Sequence, residues 1–95
     1  MRRASKIDAN QPAIIEALKH CGAKVLVLSA MGGGVPDLFV TVGYRFTFVE
    51  VKSTPATWSL DPRSAPAQAD FAKDWPVRTI RSVDEAIQMV RDLRS

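Results

Sequence analysis

The chain has 95 residues, of which 46% are hydrophobic and 24% are charged, and its formal net charge is +3 at pH 7. This length allows one small domain, residues 1–95, and the composition is that of a globular protein. One cysteine and one histidine exclude an internal disulfide and a zinc site of thiolates and imidazoles. The apolar runs fall short of the roughly 20 residues of a membrane-spanning helix, and no signal-peptide segment follows the basic start, so a cytoplasmic protein is expected. The excess of positive charge favours a polyanionic partner.

The first part of the chain predicts a basic arm and a helix. Residues 1–8 carry three cations without periodicity, which are either solvated or in contact with phosphates: Arg2, Arg3 and Lys6. Asp8 and Asn10 are residue types that cap helices, and Pro12 is tolerated in a first turn. An apolar stripe at helical spacing then runs to Gly22, which is typical of a helix end.

The next part predicts three strands. Strand one is predicted at 23–30, where residues 25–28 are apolar on both faces, which is typical of a strand covered by helices on either side. The Met-Gly-Gly-Gly segment at 31–34 does not match a phosphate-binding loop, and it is either a simple turn or a loop that approaches a ligand closely. Strands two and three are predicted at 37–42 and 45–52, joined by a two-residue turn.

A loop and a second helix are predicted next. Residues 54–63 lack periodicity and are rich in turn formers. Within them, Trp58 is either buried or available for stacking with a base. Ser64 can cap the helix, which Pro76 stops.

The end of the chain predicts a strand at 77–81 and a final helix. Ser82 and Glu85 have the spacing of a capping box at the start of that helix. Four arginines are expected on solvated edges: Arg78, Arg81, Arg91 and Arg94. The order α-β-β-β-α-β-α predicts an α/β domain in which helices flank a central four-stranded mixed sheet.

Three charged residues are expected to meet at one edge of this sheet. Side chains two apart on a strand share a face, so Glu50 and Lys52 project together while Val51 points into the opposite layer. Antiparallel pairing of strands two and three brings Asp37 close to them. Two carboxylates at such an edge can bind Mg²⁺ or Mn²⁺, which prefer oxygen ligands. Alternatively, Asp37 only caps the turn after Pro36, and Glu50 and Lys52 form an edge-strand ion pair.

The spacing of these residues resembles a known motif. Pro36-Asp37, twelve intervening residues and Glu50-Val51-Lys52 are similar to the pattern of the PD-(D/E)XK nuclease superfamily. The segments GGGVPDLFV and FVEVKS are most similar to virus-type replication-repair nuclease domains, which are often phage encoded, and to archaeal Holliday junction resolvases. The resemblance covers nearly the whole chain and implies a restriction-endonuclease-like core.

The resemblance also implies roles for individual residues. Asp37 and Glu50 correspond to the carboxylate ligands of Mg²⁺ or Mn²⁺, and the Val51 carbonyl to a further oxygen ligand. Lys52 corresponds to the cation that positions or deprotonates the attacking water. Gln68 matches an accessory glutamine near the site.

One departure from the family pattern concerns the first helix. Many relatives place a glutamate early in that helix, where this chain has Gln11, so the site has one negative charge fewer. Metal affinity is then expected to fall, or a second metal position to be lost. Contacts with DNA are expected from the arm and from residues beside the motif: Arg2, Arg3, Lys6, Gly33, Gly34 and Ser53.

The implied activity is metal-dependent endonucleolytic hydrolysis of DNA, selective for branched DNA or Holliday junctions, in phage replication, recombination or repair. The implied partners are duplex or branched DNA and a second copy of the chain, in a homodimer or higher even oligomer, and a phage-encoded protein would act in the bacterial host cytoplasm. The alternatives are a catalytically weak or inactive structure-specific DNA-binding module and a protein-interaction domain that reuses the fold.

Overall fold

A computed structural model of the chain describes residues 9–52 and 66–95, without the side chains of residues 66–69. The basic arm at 1–8, Ser53 and the loop that holds Trp58 lie outside these ranges. The described part contains three helices and four strands in the predicted order, so the α/β class is confirmed. These elements are α1 (Gln11–His20), β1 (Lys24–Val27), β2 (Leu38–Val42), β3 (Arg45–Val51), α2 (Pro66–Asp74), β4 (Val77–Ile80) and α3 (Val83–Arg94).

The four strands form one mixed sheet in the order β1-β2-β3-β4. β1 pairs with β2, and β2 with β3, in antiparallel orientation, while β3 and β4 are parallel. The turn Gly43–Tyr44 connects β2 to β3, and Gly43 supplies the positive φ that this tight turn requires. Parallel β3 and β4 need a crossover, and α2 lies in that connection.

The hydrophobic core lies between one face of the sheet and the helices α1 and α3. Alternate residues of β2 and β3 point into it: Leu38, Val40 and Val42 of β2 are buried, and so are Thr47, Val49 and Val51 of β3. Glu50 is also buried, but from the opposite face of β3. Burying each large apolar side chain contributes about 1.5–3 kcal/mol, so this layer is the main source of stability. The largest fully buried side chains are Ile14, Leu18, Leu38, Ile80, Met89, Val40, Val49, Val51 and Val90.

The opposite face of the sheet carries aromatic residues. Phe39, Phe46 and Phe48 lie on it, and Phe48 contacts Phe71 and Trp75 from the α2 side at ring-centroid distances of 5.0 and 6.0 Å. Phe46 and Trp75 remain about half exposed. This second layer is therefore only partly covered in the described part of the chain.

The expectation that the first strand is covered on both faces is wrong. Leu26 and Val27 are 58% and 53% exposed. β1 is an edge strand of four residues that contacts α1, and Leu26 and Val27 point to opposite faces of it, so neither face is fully covered. The predicted strand at 23–30 is longer than β1, because the chain leaves the sheet after Val27.

The end of the chain follows the predicted capping. The Ser82 hydroxyl accepts a hydrogen bond of 3.1 Å from the backbone N–H of Glu85, and the Glu85 carboxylate accepts one of 2.6 Å from the N–H of Arg81. Three of the four arginines expected to be solvated, Arg78, Arg91 and Arg94, are exposed, whereas Arg81 is half-buried. Arg78 pairs with Asp92 at 3.0 Å, and the Nε of Arg81 is buried. None of the described helices is long and apolar enough to cross a membrane.

Candidate metal centre

The carboxylate of Asp37 lies at the point where the pairing of β2 and β3 ends. The last paired residues are Leu38 and Val49, so one further step of the register sets Asp37 opposite Glu50. Directly opposite residues share a face of the sheet, with Cβ atoms typically about 4.5–5.5 Å apart. Asp37 Oδ2 also accepts a hydrogen bond of 2.8 Å from the backbone N–H of Val51. The Asp37 side chain is therefore held against the strand segment Glu50-Val51-Lys52.

Glu50 and Lys52 project from the same face, as their spacing predicts. Lys52 Nζ lies 3.5 Å from Glu50 Oε2, and the two side chains are 25% and 9% exposed. Val51, between them, is buried in the opposite layer. A carboxylate this deeply buried requires a cationic partner, which the Lys52 ammonium provides.

The Val51 carbonyl faces the same side as Asp37. The Val51 N–H donates to the Asp37 carboxylate, whereas the next N–H along the chain, that of Lys52, donates to Ile80 O on β4 at 3.0 Å. The N–H and C=O of one strand residue point to the same neighbour. The Val51 oxygen is thus directed past the end of the β2–β3 pairing, beside the two carboxylates.

The start of α1 borders this edge through two amides. Asn10 Nδ2 donates to Arg81 O at 3.0 Å and to Lys52 O at 3.5 Å, so it links the ends of β4 and β3. Gln11 is buried, and its Nε2 donates to the Ser29 hydroxyl at 3.0 Å. Within the described residues, Asn10 Oδ1 and Gln11 Oε1 are buried without a hydrogen-bond partner.

Asn10 and Ser29 were not identified as site residues from the sequence. Asn10 has a residue type that caps helices, yet its side chain makes no capping hydrogen bond. Nothing local in the sequence indicates that this amide reaches Lys52 and Arg81 instead, because those partners are 42 and 71 residues away. Ser29 lies just after Leu28, whose N–H donates to Asp37 O at 2.7 Å.

The other predicted site residues are placed as follows. Gly33 and Gly34 lie in the loop before Asp37, both with positive φ, so that loop needs glycine at these positions. Gln68 lies in α2, but its side chain is outside the described part. Ser53, like the arm with Arg2, Arg3 and Lys6, also lies outside it.

The donor set suits a hard cation. Asp37, Glu50 and the Val51 carbonyl offer oxygen atoms only, and oxygen ligands favour Mg²⁺ or Mn²⁺ over soft metals. An ionised carboxylate has about four lone-pair positions, so the hydrogen bond to Val51 leaves acceptor capacity on Asp37. Within residues 9–52 and 66–95, no three His, Cys, Asp or Glu side chains are placed so that they could hold a metal ion together. A cation here would therefore complete its shell with carbonyl and water oxygens.

Comparison with known proteins adds no relative. No family model, no curated protein and no solved structure matches the chain.

Proposed function

We propose that the chain is a Mg²⁺- or Mn²⁺-dependent endonuclease that hydrolyses DNA phosphodiester bonds and selects branched DNA. The observation that carries this proposal is the convergence of Asp37, Glu50 and Lys52 on one edge of the sheet. Asp37 Oδ2 lies 2.8 Å from the backbone nitrogen of Val51, and Lys52 Nζ lies 3.5 Å from Glu50 Oε2. Two carboxylates can hold a divalent cation that activates water for phosphodiester hydrolysis, and an amine can orient or deprotonate that water.

The resemblance to the PD-(D/E)XK superfamily supports the same activity. Asp37 directly precedes β2, Glu50 lies near the end of β3 and Lys52 follows its last residue, in the order that the resemblance implies. This support rests on the motif and the element order, since no matching family model or relative was found. A role in phage replication, recombination or repair is proposed on that basis.

Each residue has a distinct task in the proposed reaction. Asp37, Glu50 and the Val51 carbonyl hold the cation, which supplies Lewis-acid activation of water and neutralises charge on the phosphate. Lys52 Nζ orients the attacking water by donating a hydrogen bond, or accepts its proton if the amine is neutral. The partial burial of Glu50 and Lys52 strengthens their mutual attraction and holds both groups in place.

The Gln11 amide distinguishes this site from the family pattern. The Gln11 Nε2 donates a hydrogen bond to the Ser29 hydroxyl, and the amide adds no negative charge to the site. The two carboxylates offset the charge of one divalent cation but not of two, and Lys52 adds a positive charge beside them, so a one-metal site is the form that this donor set favours. A hydrolytic mechanism with one cation relies more heavily on Lys52 to handle the water.

The proposed partners are DNA and a second copy of the chain. Cutting both strands of a duplex or junction is naturally done by a two-fold dimer. The open face of the sheet, where Leu26 is 58% and Phe46 is 45% exposed, offers apolar surface of the kind that oligomers bury. A homodimer or higher even oligomer is therefore part of the proposal.

A second candidate is a DNA-binding module that recognises branched structure without cutting. It is favoured by Gln11, because a site with fewer negative charges binds a cation less tightly. It keeps the same DNA partner and lacks only the hydrolytic step.

The decisive experiment is a nicking assay on a four-way junction and on a linear duplex of the same sequence, with Mg²⁺, Mn²⁺ or a chelator. The wild-type chain is expected to cut the junction only with metal, and Glu50→Gln is expected to abolish cutting. Glu16→Gln, which alters an exposed glutamate on α1, is the matched control and should cut normally. Junction binding without cutting in either metal would favour the second candidate, and undiminished cutting by Glu50→Gln would reject the proposed site.

A further inference from the structure

A second concentration of charge lies at the end of the sheet opposite to Asp37. The Gly43–Tyr44 turn is there, and the C-terminal ends of α1 and α3 lie beside it. Together these elements enclose an open cleft of about 390 Å³. Its lining residues include Gly22, Tyr44, Arg45 and Arg94.

Two guanidinium groups line this cleft, each anchored to a backbone carbonyl of the described residues. Arg45 Nη1 donates to Ser95 O at 2.9 Å, and Arg94 Nη2 donates to Cys21 O. A guanidinium has five N–H donors in a planar fork that matches the oxygens of a phosphate. Each anchored arginine therefore retains N–H groups for an anion, and the backbone contacts reduce its freedom before binding.

The surroundings of the cleft are strongly basic. The ranges 19–24, 42–45 and 91–95 contain five Lys or Arg residues and one acidic residue, Asp92. Asp92 pairs with Arg78 on β4 and accepts a hydrogen bond from Gln88, so its charge is already compensated. The field at this end of the molecule is positive and favours an anionic ligand.

Helix dipoles explain only part of this arrangement. Cations in the last turn of a helix offset its negative C-terminal end, which accounts for Lys19 on α1 and for Arg91 and Arg94 on α3. Arg45 stands on a strand, where that reason does not apply. The Tyr44 side chain beside it is fully exposed, so an aromatic ring is presented to solvent next to the charge.

We propose that this cleft is a second DNA-contact site, in which Arg45 and Arg94 bind a phosphodiester and the Tyr44 ring stacks on a base. The identity of the polyanion rests on the proposed function. Gly43 lies six residues beyond Asp37 along β2. At about 3.3 Å per strand residue the two sites are about 20 Å apart, which corresponds to about six nucleotides at 3.4 Å per nucleotide. The cleft therefore holds an arm of the substrate at that distance from the cut.

The test measures DNA binding by fluorescence anisotropy in the presence of a chelator, so that metal-dependent cleavage does not occur during the measurement. The double variant R45Q/R94Q is compared with R63Q/K73Q, which removes the same charge at positions outside the ranges 19–24, 42–45 and 91–95. Loss of two phosphate contacts should reduce the slope of log affinity against log salt by about 1.4 to 1.8 and weaken binding about tenfold in 0.1 M salt. The control pair should leave the slope within about 0.5. Tyr44→Ala should weaken binding about tenfold without changing the slope.

A second measurement locates the contact. Neutral methylphosphonate linkages placed about six nucleotides from the position of the cut should weaken binding of the wild-type chain and should not weaken binding of R45Q/R94Q further. Equal loss of slope in both double variants would show a general charge effect and overturn the proposal. An unchanged slope with a lower unfolding temperature for R45Q/R94Q would show that the arginines only stabilise chain ends. If the wild-type chain cuts normally with metal and R45Q/R94Q leaves the salt slope unchanged, only this second site is rejected. If R45Q/R94Q lowers the slope but the wild-type chain does not cut, this site is supported and the nuclease proposal is rejected.

Discussion

Asp37 Oδ2 accepts a 2.8 Å hydrogen bond from the backbone N–H of Val51, fourteen residues further along the chain. The bond joins the residue before β2 to the last residue of β3, at the place where their pairing ends. It also fixes the Asp37 carboxylate next to the segment that carries Glu50 and Lys52. The position of this carboxylate therefore depends on the strand register and is as well defined as the sheet itself.

Replacement of Asp37 by asparagine separates its structural and electrostatic roles. The asparagine Oδ1 can still accept from Val51 N–H, but it carries no charge, so we expect an almost unchanged unfolding temperature and a Mn²⁺ affinity at least about tenfold lower. Calorimetric Mn²⁺ titration and thermal unfolding measure the two effects. Asp70→Asn, on exposed α2, is the control for removal of one negative charge. Wild-type Mn²⁺ affinity in Asp37→Asn would remove this residue from the metal centre.

Lys52 is expected to act on the water rather than on metal binding. Lys52→Gln should lower the cleavage rate by a factor of about 10² to 10⁴ while Mn²⁺ affinity stays equal or rises, because a positive charge beside Glu50 has been removed. Lys52→Arg keeps the charge but cannot accept a proton. Partial activity in Lys52→Arg with an unchanged pH profile would assign an orienting role, and complete loss would assign proton transfer. Full activity of Lys52→Gln would contradict both.

Local patterns in the sequence were enough to predict the order of elements. Pro12, the Gly43–Tyr44 turn and the Ser82 cap each act over a few residues, and each is found where predicted. The exposure of Leu26 and Val27 on β1 was not predicted, because a central strand and an edge strand can have the same run of apolar residues. The burial of Met89 on α3 was also not predicted from the sequence.

The candidate site was predictable where it depends on strand geometry. The shared face of Glu50 and Lys52 follows from the two-residue period, and the approach of Asp37 follows from antiparallel pairing. The Asn10 contacts were not predictable, because they depend on how α1 is placed against the ends of β3 and β4. Placement of that kind is set by the packing of the whole core.

Substitutions of Asn10 test the contact between the start of α1 and the ends of β3 and β4 directly. Asn10→Ala should lower the free energy of unfolding by about 0.5–1.5 kcal/mol through loss of hydrogen bonds to Arg81 O and Lys52 O. Asn10→Asp should be more destabilising, because a carboxylate oxygen would face those carbonyl oxygens. If the side chain were only a helix cap, aspartate would be as good as asparagine. Denaturant unfolding of the two variants distinguishes these cases.

The packing of α3 can be tested by two substitutions on the same helix. Met89 is fully buried and Val83 is 38% exposed. Met89→Ala should cost about 2–5 kcal/mol of unfolding free energy, and Val83→Ala less than about 1 kcal/mol. For a domain of this size the first change corresponds to a fall in Tm of about 10 °C or more. Similar Tm values for the two variants would mean that α3 packs on the sheet by another face.

Asp92 gives the chain a pH-dependent contribution to stability at the α3 surface. The hydrogen bonds from Gln88 and from Arg78 hold the pKa of Asp92 below its ordinary value of 3.8. A carboxyl whose pKa is lower in the folded state stabilises that state at every pH above 3.8, and this stabilisation is lost as the pH falls through the folded pKa. We therefore expect Asp92→Asn to have a slightly lower Tm than the wild-type chain at pH 7, with the difference vanishing in strong acid. Gln88→Ala should raise the pKa of Asp92 in an NMR titration of the carboxyl carbon. An Asp92→Asn difference that persists unchanged well below pH 3.8 would show that charge is not its cause.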